Sequence, residues 1–233
     1  MPLLALWVAQ SLAQEPTIKG QTLLFSATFG VTEQGFQLAK VILGTIGAKA
    51  GMNLQLQSLP HGRTAGNLES GATDAVLGRA AYFQHNYPDS IMISESVSIV
   101  PYYIYTKLKD IEVKFNDLDS LKPYKIVSLR GNIVTSEYLK GYSTHAVNSV
   151  GAAIRFIDAD RADLFLSSLF SVHSLLKSTE FKSSGIREIG PVLKLPVFTF
   201  FRPGLEREAQ AYEVALIALK QNGTMSKLLR EFR

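Results

Sequence analysis

A chain of 233 residues, 46% hydrophobic and 19% charged, has ordinary globular composition and room for one large or two small domains, which excludes a disordered polymer. Its 24 basic and 20 acidic residues leave a net charge of +4 with no dense basic run. That argues against a nucleic-acid partner and mildly favours an anionic ligand. The lack of cysteine rules out thiol catalysis, disulfides and thiolate metal sites.

The first elements in chain order concern export. Residues Pro2 to Ala9 form an apolar stretch too short to span a bilayer, followed by Ser11-Leu12-Ala13 with small residues where a signal peptidase reads. Residues 1–13 are therefore expected to be the end of a secretory leader cut after Ala13, although no Lys or Arg precedes Lys19.

Thr22–Ser26 reads as a buried strand, and Thr32 is the expected cap of a helix carrying Phe36, Ala39, Leu43 and Ile46 at helical spacing. Asn53–Gln57 alternates polar and apolar residues as a half-exposed strand does, and a short helix is expected near 64–70. Asp74 opens the apolar run Ala75-Val76-Leu77 and Gly78 closes it. Arg79 then sits where a buried strand leaves a sheet edge, the place at which open α/β sheets bind ligands. A guanidinium there offers two parallel hydrogen bonds to a carboxylate or phosphate. The competing reading is an ion pair between Arg79 and Asp74 or Asp89. Pro60-His61-Gly62-Arg63 ends the preceding strand and points to the same cleft. The four histidines, at 61, 85, 145 and 173, lack ligand spacing, so no metal is expected.

A second unit follows the β-rich run Val97–Thr106. It holds a polar helical turn over Asp117–Tyr124, a strand over Lys125–Leu129, a break at Gly131, a helix over Thr135–Lys140, a helix from the cap Ser149 to Ile157, and a strand over Leu164–Leu166. Arg130-Gly131-Asn132-Ile133-Val134-Thr135 lies between strand and helix, where free backbone N–H groups and the helix dipole attract an anion; a plain turn is the alternative. Phe29, Tyr102, Tyr103 and Tyr105 are candidate aromatic walls, or else strand packing. The chain returns through Leu195–Phe201 and ends in two helical patterns parted by Asn222-Gly223, with Thr224 as the expected second cap. The runs 97–106 and 195–201 read as paired crossovers, which makes the second unit an insertion in the first. The alternation of strands and helices gives an α/β fold class.

In this order, DAVLGRAAYFQHNYP, YYIYTK, DLDSLKPYKIVSLRG, IRFIDADRADLFLSS and the C-terminal helix pair make residues 20–232 resemble the family 3 bacterial extracellular solute-binding proteins. The resemblance implies a two-lobed type II periplasmic binding protein-like fold. Lobe 1 would comprise 14–103 plus 195–233, and lobe 2, inserted in it, 104–194. It further implies a periplasmic monomer that binds a small-molecule solute between the lobes and hands it to the membrane permease of an ABC-type transporter, with no cofactor. Two departures bear on the ligand. Amino-acid binders of the family carry an Arg where this chain has His85-Asn86, and an amine-binding Asp where counting from Asp163 reaches Ser168. With that clamp missing, the chain is similar to a divergent branch without a well-defined ligand. The residues expected to hold a small polar or anionic ligand are Arg79, Arg130, Gly131, Asn132 and Thr135, with Phe29, His61, Tyr102, Tyr103 and Ser168 around it. Neither G-x-S-x-G, H-E-x-x-H nor a P-loop occurs, so binding without catalysis is expected. The alternatives are an enzyme on the same fold, such as a small-acid dehydratase, and an exported sensor or interaction module.

Overall fold

The computed structural model of the protein describes residues 22–29 and 34–232; the expected leader over 1–13 and the expected cap Thr32 lie outside the described residues. The chain opens with β1 (Thr22–Ala27), α1 (Gln34–Ala50), β2 (Asn53–Ser58), α2 (His61–Glu69) and β3 (Ala75–Arg79). Both β2 and β3 pair with β1 in parallel. In α1, Leu38, Ala39, Ile42, Leu43 and Ile46 are buried, an i, i+3/i+4 stripe turned toward the sheet.

After α3 (Phe83–Asn86) and β4 (Ile91–Met92), β5 (Ser98–Thr106) carries the chain into the second unit. There β6 (Ile126–Leu129), α4 (Ile133–Tyr138), β7 (Thr144–Val147), α5 (Val150–Asp158), β8 (Leu164–Ser168) and α6 (Leu169–Leu176) repeat the strand-helix pattern. The long β9 (Arg187–Phe201) brings the chain back, and α7 (Glu206–Gln221) and α8 (Thr224–Glu231) complete it. The strand order is β2-β1-β3-β9-β5-β8-β6-β7, with β4 also on β9.

β9 explains the two-lobed shape. Its first part pairs antiparallel with β5, from Thr106↔Arg187 to Ser98↔Val197. Its last residues pair with β3, from Arg79↔Phe198 to Ala75↔Phe201. One strand thus belongs to both sheets, and the return expected over 195–201 begins earlier, at Arg187. In the first lobe, Phe25 meets Phe201 edge-on at 5.4 Å and Tyr212 of α7 at 5.8 Å, and the Tyr212 hydroxyl lies 3.0 Å from Thr199 Oγ1. Such pairs add specificity to an apolar core, and they anchor the C-terminal helices on this lobe. In the second lobe β8 is buried along its length, as expected of a strand covered on both faces.

Three local expectations are corrected. Gly78 does not end β3: at φ 77° it takes a conformation open to glycine, at a register shift between Leu77 and Arg79. The strand runs on, and the irregularity re-aims Arg79. Asp74 is not the partner of Arg79; it accepts from Arg202 Nε at 3.1 Å and from the Leu24 N–H at 2.8 Å. Thr224 is the first residue of α8, Gly223 holds the cap position, and Asn222 Oδ1 accepts from Thr224 N at 3.0 Å.

Candidate ligand-binding cleft

A cleft of about 790 Å³ lies between the lobes, within the range of small-molecule sites. Its walls are the segments after β1, β2 and β3 on one side and after β6, β7 and β8 on the other, with Val100, Tyr102 and Val197 of the crossover strands between them. These are carboxyl ends of parallel strands, where sheet topology puts ligands. Of the residues expected from sequence, Phe29, His61, Arg79, Tyr102, Arg130, Gly131, Asn132 and Ser168 line this cleft.

Arg79 is 7% exposed, and all its contacts are neutral. Nη1 donates to His61 Nδ1 at 3.2 Å, Nη2 donates to the His61 carbonyl at 3.3 Å and to Thr64 Oγ1, and the guanidinium lies 5.6 Å from the Phe83 ring centroid. Its Nε makes no hydrogen bond to protein. Burial lowers the guanidinium pKa to about 10, so the group remains a cation at neutral pH. A desolvated charge with neutral partners costs several kcal/mol. An oxyanion in the cleft would offset that cost.

His61 follows from the same arrangement. Because Arg79 can only donate, His61 Nδ1 must accept, and the ring proton sits on Nε2. Burial and, second, the Arg79 charge lower its pKa from 6.5 to about 3. The unfolded chain takes up a proton below pH 6.5 that the folded protein refuses until about pH 3. Stability from the neutral ring is therefore present above pH 6.5 and drains as the pH falls toward about 3, by about 1.4 kcal/mol per pH unit. Urea titrations between pH 7 and pH 4 are expected to show this slope. His61→Gln, which keeps an acceptor for Arg79, should flatten it, and an unchanged slope would place the acid sensitivity elsewhere.

In the second lobe, Asn132 caps α4, its Oδ1 accepting from Val134 N at 3.0 Å and Thr135 N at 3.4 Å. Those two N–H groups are taken by the cap side chain, which leaves fewer than expected for an anion at this turn. Thr135 is buried away from the cleft, donating from Oγ1 to the Asn132 carbonyl at 3.0 Å. Arg130 Nε instead donates to Asn148 Oδ1 at 3.1 Å, and both residues line the cleft. Tyr103 and Tyr105 are also corrected: they pack in the core on the opposite face of β5 from Tyr102, as period-2 alternation requires. Sequence reasoning missed Thr64, one turn into α2, and Asn148 and Ser171. The cap role assigned to Ser149, at the same sheet edge, was the signal that could have reached Asn148.

The lobes touch. A Cβ on Gly131, whose φ is 72°, would lie 3.1 Å from Gly62 N across the cleft. The Tyr82 and Tyr138 rings meet edge-on at 5.7 Å, and α6 packs against α1.

No family model matches the sequence, and no curated protein matches it. Solved structures do. A histidine kinase sensor domain with similarity to periplasmic binding proteins aligns at TM-score 0.73 and 13% identity, over 92% of this chain and 96% of its own. An ancestral arginine-binding protein bound to arginine aligns at 0.68 and 17%, over 91% and 97%. An ancestral amino-acid-binding protein, a precursor of cyclohexadienyl dehydratase, aligns at 0.65 and 13%, over 91% and 94%. At such identities the likeness bears on architecture alone. With the shared β9, it gives this chain the two-lobed periplasmic binding protein fold, its second lobe inserted in the first.

Proposed function

We propose that the protein is an exported solute-binding protein whose lobes close on a small anion and release it, chemically unchanged, to a membrane permease. The observation that carries this reading is the buried, charged Arg79 in the wall of the cleft, whose hydrogen-bond partners are all neutral. Arg63 and Arg130 also line the cleft, and no Asp or Glu does among the described residues. The field there favours an anion. Closure would be a population shift, since only the closed form lets groups of both lobes meet one ligand. Periplasmic residence fits the leader expected over 1–13, and no helix among the described residues is long and apolar enough to cross a membrane.

Catalysis is disfavoured by the same geometry. A general base works best with a pKa near the operating pH. The cleft histidine, His61, has a pKa of about 3 and its Nδ1 is engaged by Arg79.

The absence of a cleft carboxylate among the described residues, with Ser168 in the wall, leaves an α-ammonium without a counter-charge. None of the twenty amino acids is therefore expected to bind with a Kd below about 100 μM, equivalent to about 5.5 kcal/mol. A thermal-shift screen of amino acids, carboxylates, phosphate and phosphonates, followed by calorimetry, tests the reading, because a ligand specific to the folded state raises the melting temperature. Stabilisation by simple anions supports it. Micromolar binding of an amino acid would overturn it.

A further inference from the structure

We infer that the bound anion carries a short apolar tail, and that the tail enters a side chamber of the cleft behind Phe29. This rests on the anion reading above and adds the second half of the ligand.

The chamber has a volume of about 60 Å³, and Ala27, Leu38, Ala39, Ile42, Leu77 and Val97 form its far wall. Ser98 is the single polar side chain in its lining among the described residues. Phe29, Gly78, Val100 and Val197 line both chamber and cleft, so the two spaces adjoin. The Phe29 ring stands at the junction over Gly35, where an added Cβ would lie 2.7 Å from ring carbon Cδ1. α1 thus leaves room for that ring by lacking a side chain at this position. Gly78 is the covalent neighbour of Arg79 and itself a chamber wall. The guanidinium lies on the α2 and Phe83 face of the sheet and the chamber on its α1 face, with Gly78 between them, so a tail reaches the chamber by passing over Gly78.

Apolar recesses favour apolar guests, and this volume equals about two waters, or about two methylene groups. Burying one methylene is worth about 0.8 kcal/mol, or about fourfold in affinity. A ligand of this class gains specificity over phosphate or sulfate, which match its charge but have nothing to place behind Phe29.

Calorimetry with two probe series tests the inference: linear carboxylates from acetate to hexanoate, and methyl- to butylphosphonate. Their comparison also shows which oxyanion the cleft prefers. In the series that binds, affinity is expected to rise about fourfold per methylene over about two methylenes and then level off. Ala39→Leu, which fills the chamber, should move the levelling point to a shorter chain. A binding series of equal affinity throughout, or one that Ala39→Leu leaves unaltered in its length dependence, overturns the chamber and leaves the anion reading standing. If no member of either series binds, the anion reading falls and the inference falls with it.

Discussion

Replacing Arg79 with alanine is expected to weaken anion binding by about 2–5 kcal/mol, or roughly 30-fold to several thousand-fold, without unfolding the protein. The effect is large because the partner is desolvated. An oxyanion brought to this buried site has exchanged its water for the guanidinium, and removing the cation leaves that charge unpaired. The fold should survive because no protein carboxylate depends on Arg79: its contacts are His61, Thr64 and the face of Phe83. Relief of the buried charge works against the small cavity left behind, so the melting temperature of the ligand-free protein is expected to stay near the wild-type value. Arg79→Lys should restore only part of the affinity, since an ammonium does not reproduce the two-pronged geometry. Intact affinity with a lowered melting temperature would assign Arg79 a purely structural role.

The second large effect is expected at Gly131, where the lobes approach most closely. Two costs fall on Gly131→Val. The φ of 72° disfavours a β-branched side chain in any state of the lobes. The added carbons would also meet Gly62 of the other lobe, which Cβ alone reaches at 3.1 Å, and that cost falls on the closed state only. If closure becomes about 30-fold less favourable, apparent affinity falls by the same factor, about 2 kcal/mol, because only the competent fraction binds tightly. Small-angle scattering in the presence of a bound anion should then show a larger radius of gyration than wild type. Gly131→Ala should have a smaller effect, as its single methyl needs a shift of only a few tenths of an ångström. Wild-type affinity in the valine variant would mean that binding does not require this contact.

Much of the scaffold was legible in the sequence because its signals are local. The helical stripe of α1, the alternation of β2, the Ser149 cap and the Asn222-Gly223 stop each depend on neighbours within a few residues, and the structure has each element within a few positions of its expected place. The missed elements lack such punctuation. α6 follows β8 without a Gly or Pro between them, and three of the four residues of β7 are exposed, so neither carries a period or a break. The start of β9 at Arg187 was hidden because pairing with β5, across more than eighty residues of chain, makes it a strand.

The site was legible in position and less so in chemistry. Strand-end reasoning placed Arg79, His61 and the Arg130–Asn132 turn at one edge. That Arg79 is surrounded by neutral groups depends on Arg202 taking Asp74, a contact between residues 128 apart. That the turn before α4 has little N–H capacity left depends on which way the Asn132 side chain points. Tyr102 and Tyr103 could not be told apart until the sheet fixed which face of β5 meets the cleft.

Closure of the lobes on an anion gripped by Arg79 is decided by a crystal structure of the protein grown with the tightest-binding carboxylate or phosphonate. Such a structure is expected to hold an oxyanion oxygen about 2.7–2.9 Å from an Arg79 guanidinium nitrogen, with the Gly131 and Gly62 backbones still in contact across the cleft. An anion bound elsewhere, with the Arg79 guanidinium left to protein or water, would contradict closure on this group.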